Sequence, residues 1–197
     1  MYLAIDTQTS GPLRPFLDLT DPDQPHLLKF AGILFNDAGD EVERLVTLVK
    51  PGPEAELSIK AFRTHGITLE SAFHMGMETR DVFHWFRLRA RKAKRIVGHN
   101  VYADTYAMAI LGARLTGQAW ISPCRSTCTM AHSALVMNLP PTPNMIAAGL
   151  FQPRPPSISE CISHFFGEEW DDRNDVISNA RASFKIFRHL NGQQAMA

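Results

Sequence analysis

The sequence has no excess of charge of either sign. Its 197 residues carry 20 Lys and Arg against 20 Asp and Glu, a formal net charge of zero. A neutral total does not favour nonspecific nucleic-acid binding by the whole surface, although it leaves room for a local basic groove. Cysteine is scarce and odd in number, at three, so no disulfide framework is expected and a reducing compartment is. No apolar run approaches the length of a membrane span. Tyr2 to Ile5 is too short for the apolar part of a signal peptide and has no basic flank. These absences lead us to expect a cytoplasmic protein with no membrane partner. There is also no internal repeat, no low-complexity tract and no composition break. We therefore expect one domain over residues 1–197, with 45% hydrophobic residues to fill its core.

The patterning gives an order of elements. Tyr2 to Ile5 reads as a strand, and Leu13 to Gln24, rich in Pro and Asp, as an ordered loop or insertion. Leu28 to Phe35 and Val42 to Val49 read as a hairpin around the turn Asn36-Asp37-Ala38-Gly39-Asp40. Helical periodicity marks Ile59 to His65 before Gly66, then Thr79 to Lys94, then Ala103 to Leu115 before Gly117. Ile96-Val97-Gly98 is a short buried strand, and Trp120-Ile121 is expected to be the last one. Ser126 to Met137 reads as a helix, Leu139 to Pro156 as an extended flap, and Ile158 to Phe166 as a helix stopped by Gly167. A closing helix buries Ile177, Ala180, Phe184 and Phe187. A three-stranded meander followed by alternating strand and helix implies an α/β sandwich.

Three segments carry chemistry. Asp6-Thr7-Gln8-Thr9-Ser10-Gly11 places a carboxylate at the end of the first strand, where a rigid element meets ligands. Val97-Gly98-His99-Asn100-Val101-Tyr102-Ala103-Asp104 brings a second carboxylate. Asn174-Asp175-Val176-Ile177-Ser178-Asn179 lies on the closing helix, and His65-Gly66-Ile67 falls between the first two. In order and flanking pattern these segments resemble the motifs of the DEDDh, or DnaQ-like, 3′–5′ exonucleases. The resemblance covers nearly the whole chain. It implies a ribonuclease H-like fold, with a mixed five-stranded sheet flanked by helices. It also implies a cleft for the 3′ end of single-stranded nucleic acid, with Thr9 and Ser10 on the sugar-phosphate and His65 and Ile67 beside the base. Some relatives dimerise, so a dimer is compatible with it.

The same resemblance exposes what has changed. The family holds two Mg²⁺ or Mn²⁺ ions, about 4 Å apart, on four carboxylates, with a His as general base. Asp6 and Asp104 match two of the acids. Gln8, Asn179 and Asn174 stand at the positions of the other two acids and of the His. Hard divalent cations want anionic oxygen ligands, and a neutral amide supplies none of the charge. Asn174 cannot take a proton near neutral pH, and loss of a general base costs about 10²–10⁴ in rate. The expected metal set is therefore Asp6 and Asp104, holding at most one weakly bound Mg or Mn ion.

Other clusters have plainer readings. Asp175, Asp171 and Asp172 stand near the closing helix and are read as a solvated acidic helix start, with replacement of a lost acid as the alternative. Arg87, Arg89, Arg91, Lys92, Lys94 and Arg95 alternate around a helix and read as a solvated face in preference to a nucleic-acid patch. Cys124, Cys128 and His132 would share one face of a helix, but a fourth zinc ligand is not evident and small buried thiols are the expectation. Met75, Met77, Phe83, Trp85 and Phe86 read as core. His99 and Asn100 are expected to shape the loop before Asp104.

Two functional readings follow. The first is a degenerate exonuclease-like protein, silent or strongly impaired, that acts by binding nucleic acid or a protein partner. The alternative is a working Mg- or Mn-dependent 3′–5′ exonuclease on single-stranded DNA or RNA.

Overall fold

The structure is a computed structural model that describes residues 1–170 and 175–194. Strand β1 (Tyr2–Thr9) is followed by β2 (Leu27–Phe35) and β3 (Glu41–Leu48), then helices α1 (Ile59–His65), α2 (Leu69–Met75) and α3 (Thr79–Lys92). Next come β4 (Arg95–Gly98), α4 (Val101–Thr116), β5 (Arg125–Cys128), α5 (Thr129–Met137), α6 (Pro143–Ala147), α7 (Ile158–Phe166) and α8 (Val176–Gln194). The sheet order is β3-β2-β1-β4-β5. β2 runs antiparallel to both β1 and β3, while β4 is parallel to β1 and β5 is parallel to β4. This is the ribonuclease H-like α/β architecture that the motif resemblance implied. Among the described residues no helix is long and apolar enough to cross a membrane.

The two-residue period of the strands sorts side chains between two layers. Leu3, Ile5, Phe30 and Leu34 point to one face and pack with Val82 and Phe86 of α3 and Ala107, Met108 and Leu111 of α4. Ala4, Ala31, Ile33 and Phe35 point to the other, against Val176, Ala180, Phe184 and Phe187 of α8. β2 is therefore buried at every position but one, Lys29. At the sheet edge, β3 exposes Glu41 and Arg44, charges that discourage edge-to-edge pairing.

Three expectations need correction. Trp120-Ile121 is not a strand: the Trp120 ring packs edge-on against Phe86, at 4.9 Å between centroids, and Ile121 is exposed. The last strand is Arg125–Cys128, paired in register with Arg95–Gly98. It takes the first three residues of the stretch read as a helix, which starts instead at Thr129. Apolar spacing alone cannot separate a short buried strand from the first turn of a helix. Cys124 and Cys128 consequently do not lie with His132 on a helical face, and the arrangement considered for zinc does not form. Helix α2 was not anticipated; Thr68 caps its start through Ser71 N–H.

The basic run is also resolved. Arg89 pairs with Glu43 and stacks over Trp85, and Lys94 pairs with Asp37. Two of its cations are thus committed within the fold. Of the aromatic and Met group, Phe83 and Phe86 are buried while Met75 is exposed.

Candidate nucleic-acid cleft

β1 outruns β4. Only Tyr2, Leu3 and Ala4 pair with β4, whereas pairing with β2 continues to Thr9. After Gly98 the chain turns through His99 and Asn100, which adopts a left-handed conformation with φ of 73°, and enters α4. The start of α4 therefore faces the free edge of β1, and Asp104 in its first turn meets that edge. Gly98 makes the approach possible: a Cβ there would lie 3.1 Å from Asp104 Oδ2 and 3.0 Å from the Ile5 carbonyl oxygen.

Asp104 is 5% exposed. The Thr7 hydroxyl donates to its Oδ1 at 2.7 Å. Burial pushes its carboxyl up to about 7, against the opposing pull of the Thr7 hydroxyl and backbone N–H. Asp6 points to the opposite face of β1, toward α8, where Asn179 Nδ2 donates to its Oδ2 at 3.4 Å. Burial raises Asp6 well above the ordinary carboxylate range. The charge of Asp104 adds to this, while the Asn179 amide opposes it.

The cleft thus brings together Asp6, Asp104 and Asn179, with Gln8 two residues beyond Asp6 on the same face of β1. Gln8 also lines a cavity of about 350 Å³ with Thr7, Thr9, Lys60 and His65. His65 ties this cavity to the strand. Ile67 N–H donates to its Nδ1 at 3.0 Å, so Nε2 carries the proton and donates to the Thr9 carbonyl at 3.2 Å. Burial holds the His65 pKa below its ordinary value, which keeps the ring in this neutral form.

Two residues that the resemblance puts on the ligand have side chains engaged within the fold. Ser10 is buried, and its hydroxyl accepts from His26 N–H at 3.0 Å, so it braces the loop behind the cleft. Ile67 is buried with Leu28 and Ala72 and does not line the cavity. Asn174, with Asp171 and Asp172, lies outside the described residues. Asp175 caps α8: its Oδ2 accepts from Ser178 N–H at 3.2 Å and from the Ser178 hydroxyl at 2.8 Å. Burial works against the charged form of Asp175, but the Ser178 bonds hold its pKa below the ordinary value.

His99 is structural in its contacts. Its ring joins Thr129 Oγ1 at 3.0 Å and the Pro156 carbonyl at 2.8 Å, which links the loop before Asp104 to the base of the flap. That flap holds helix α6, capped by Thr142, and its neck is closed by Arg154 N–H donating to the Leu139 carbonyl. Two participants escaped the sequence reading. Thr7 carried no signal beyond its place between Asp6 and Gln8. Lys29 had one: a lysine inside a nine-residue strand that is otherwise apolar or Gly.

The donor set among the described residues does not fit a pair of divalent ions. Among the described residues, no group of three or more His, Cys, Asp or Glu side chains is arranged to hold a metal ion. In place of two further acids the cleft has amides, one of them turned so that its N–H₂ faces Asp6. An amide donor occupies a carboxylate lone pair that a cation would otherwise use.

No protein-family model matches the chain, and no curated protein matches it in sequence. Solved structures do. The chain is similar to exonuclease I from Methylocaldum szegediense, with a TM-score of 0.69 and 17% identity over 98% of this chain and 41% of that one. It is similar to E. coli exonuclease I in complex with a dT13 oligonucleotide, with a TM-score of 0.69 and 18% identity over 99% of this chain and 42% of that one. For the E. coli enzyme in complex with a dA16 oligonucleotide the TM-score is 0.70 and the identity 17%, over 99% and 41%. The chain thus spans about two-fifths of the length of these proteins. At this identity the likeness shows the fold: this chain has the exonuclease-like, ribonuclease H-like architecture seen in exonuclease I.

Proposed function

We propose that this chain binds the 3′ end of single-stranded nucleic acid in the cleft beside Asp6 and Gln8, and that it hydrolyses the strand very slowly or not at all. The observation that carries this reading is the Asn179 amide donating to Asp6 at 3.4 Å. In a cleft built to hold cations, that position would present an oxygen. Here it presents a hydrogen-bond donor, and the acid–amide contact needs no ion. Asp6 and Asp104 offer at most one weakly held Mg²⁺ or Mn²⁺, since Mg²⁺ accepts one or two carboxylates with water completing its shell. Gln8 and Asn179 keep nearly the shape of the acids they replace, so the cleft keeps a form suited to a strand end. Thr9, Lys60 and His65 line the cavity next to it, and they supply polar contacts and the exposed ammonium of Lys60 for the sugar-phosphate. The solved exonuclease I complexes with dT13 and dA16 oligonucleotides support a single strand as the ligand class.

The alternative, a working Mg- or Mn-dependent exonuclease, rests on the same two carboxylates sharing one hard cation. A protein partner using another face is compatible with either. Strand binding is tested by fluorescence anisotropy with labelled single strands whose 3′ ends are free or blocked. We expect tighter binding to the free end, tolerance of sequence and an affinity that falls with salt. Equal binding to both strands, or none, contradicts the use of this cleft.

A further inference from the structure

The cleft holds a cation of its own. β2 is buried along its length except at Lys29, and lysine is rarely placed in such a strand unless its charge is matched. In the antiparallel register Lys29 stands directly across from Gln8, so it shares the α8-facing side of the sheet with Gln8 and Asp6. Its side chain is 25% exposed, and Nζ lies 3.7 Å from Asp175 Oδ1 at the start of α8. Asp175 is one helical turn before Asn179, whose backbone N–H donates to the Asp175 carbonyl at 2.9 Å. One ammonium thus sits where β1, β2 and α8 meet, beside Asp175 and on the side that carries Asp6 and Asn179. Its field reaches Asp6 and His65: it favours the ionised form of the first and disfavours the charged form of the second.

A cluster of buried carboxylates needs positive charge nearby or must give up its own ionisation. Metal ions do this in two-metal nucleases. The donor set among the described residues does not fit such a pair, and the fold has placed a lysine on the same face. We propose that Lys29 is the resident counter-cation of this cleft, supplying in part the positive charge that divalent ions supply in a two-metal site and repelling a divalent ion that approaches Asp6. Lys29 is a positioning residue here, acting through the charge of Asp6 and Asp175. If it served only as the partner of Asp175, its removal would leave divalent-ion binding near Asp6 unchanged, and this separates the two roles.

The test uses the full chain without nucleic acid, so its failure leaves strand binding untouched, and failure of strand binding leaves it untouched. Mn²⁺ affinity is read by calorimetry and by the Mn²⁺-dependent rise in Tm. The unmutated chain is expected to show weak binding and little rise. Lys29→Gln is expected to bind Mn²⁺ at least about tenfold more tightly, because a unit positive charge no longer opposes a doubly charged ion. Lys29→Arg should behave as the parent, and adding Asp6→Asn to Lys29→Gln should abolish the gain. Lys29→Met provides a second neutral variant if the amide destabilises the strand. Tight Mn²⁺ binding by the unmutated chain overturns the proposal, and this arm requires no variant. Unchanged Mn²⁺ affinity in the folded neutral variants also overturns it, as does a gain that survives Asp6→Asn.

Discussion

The Thr7 hydroxyl donates to Asp104 Oδ1 at 2.7 Å and joins the free edge of β1 to the first turn of α4. The two residues are 97 positions apart in the chain, and the bond exists because β1 continues past the end of β4. Asp6 and Thr7, adjacent in sequence, thereby serve opposite faces of the sheet: one meets α8, the other α4. We expect Thr7→Val to destabilise the fold by about 1–3 kcal/mol, because it leaves a buried carboxylate oxygen without its donor. Thr7→Ser should recover most of this. Denaturant midpoints measure both, and a Thr7→Val midpoint equal to the parent's would show that the bond contributes nothing.

The second prediction concerns pH. Asp104 is raised from 3.8 to about 7 in the folded chain, and Asp6 is raised with it. Between those two values the folded state binds more protons than the unfolded state. This contribution is therefore fully present below the unfolded pKa and is lost as pH rises through the folded one. His26, His65 and His99 have lowered pKa values and act with the opposite sign in part of the same range. The difference between parent and Asp104→Asn removes the contribution of the histidines and reports Asp104 together with the effect of its charge on Asp6. The Asn variant should gain on the parent as pH rises from about 4 to about 8, by on the order of 1–4 kcal/mol. A difference that stays constant with pH would mean that Asp104 is not raised.

Much of this architecture was legible in the sequence. Ile59 to His65 and Ile158 to Phe166 were bounded correctly because Gly66 and Gly167 each stop a helix in a left-handed conformation. The β2–β3 hairpin was legible from its turn residues. Other features depended on partners distant in the chain. Arg125–Cys128 is a strand because β4 lies beside it, and nothing local distinguishes Ser126-Thr127-Cys128 from a helix start. Asp6, Asp104 and Asn179 were placed together by motif order, which carries topology. The burial of Ser10 and Ile67 was not legible, because motif order says nothing of which way a side chain turns. Lys29 was in plain view as a charge within an apolar strand, but its meaning depended on the register with Gln8 and on the start of α8.

The third prediction installs the groups that the motif resemblance implies. The triple variant Gln8→Glu, Asn174→His, Asn179→Asp should gain exonuclease activity on single strands, because it supplies two acids and a base at the positions that the resemblance assigns to them. Each single variant should gain little, since groups that act as a unit contribute together and not additively. Restoring the base alone is worth about 10²–10⁴ only where the metals are already held. A large gain from any single change would show that the site is closer to competence than its donor set indicates.

The central claim is that the cleft binds a strand end and cuts it very slowly or not at all, and hydrolysis assayed together with binding tests that claim most directly. The chain, purified free of host nucleases, is incubated with a 5′-labelled single strand and Mn²⁺, with Asp6→Ala as the control. The account predicts that the strand keeps its full length over long incubation while anisotropy reports its binding. Rapid, multiple-turnover Mn²⁺-dependent shortening from the 3′ end that Asp6→Ala abolishes would contradict it and establish the chain as a working exonuclease.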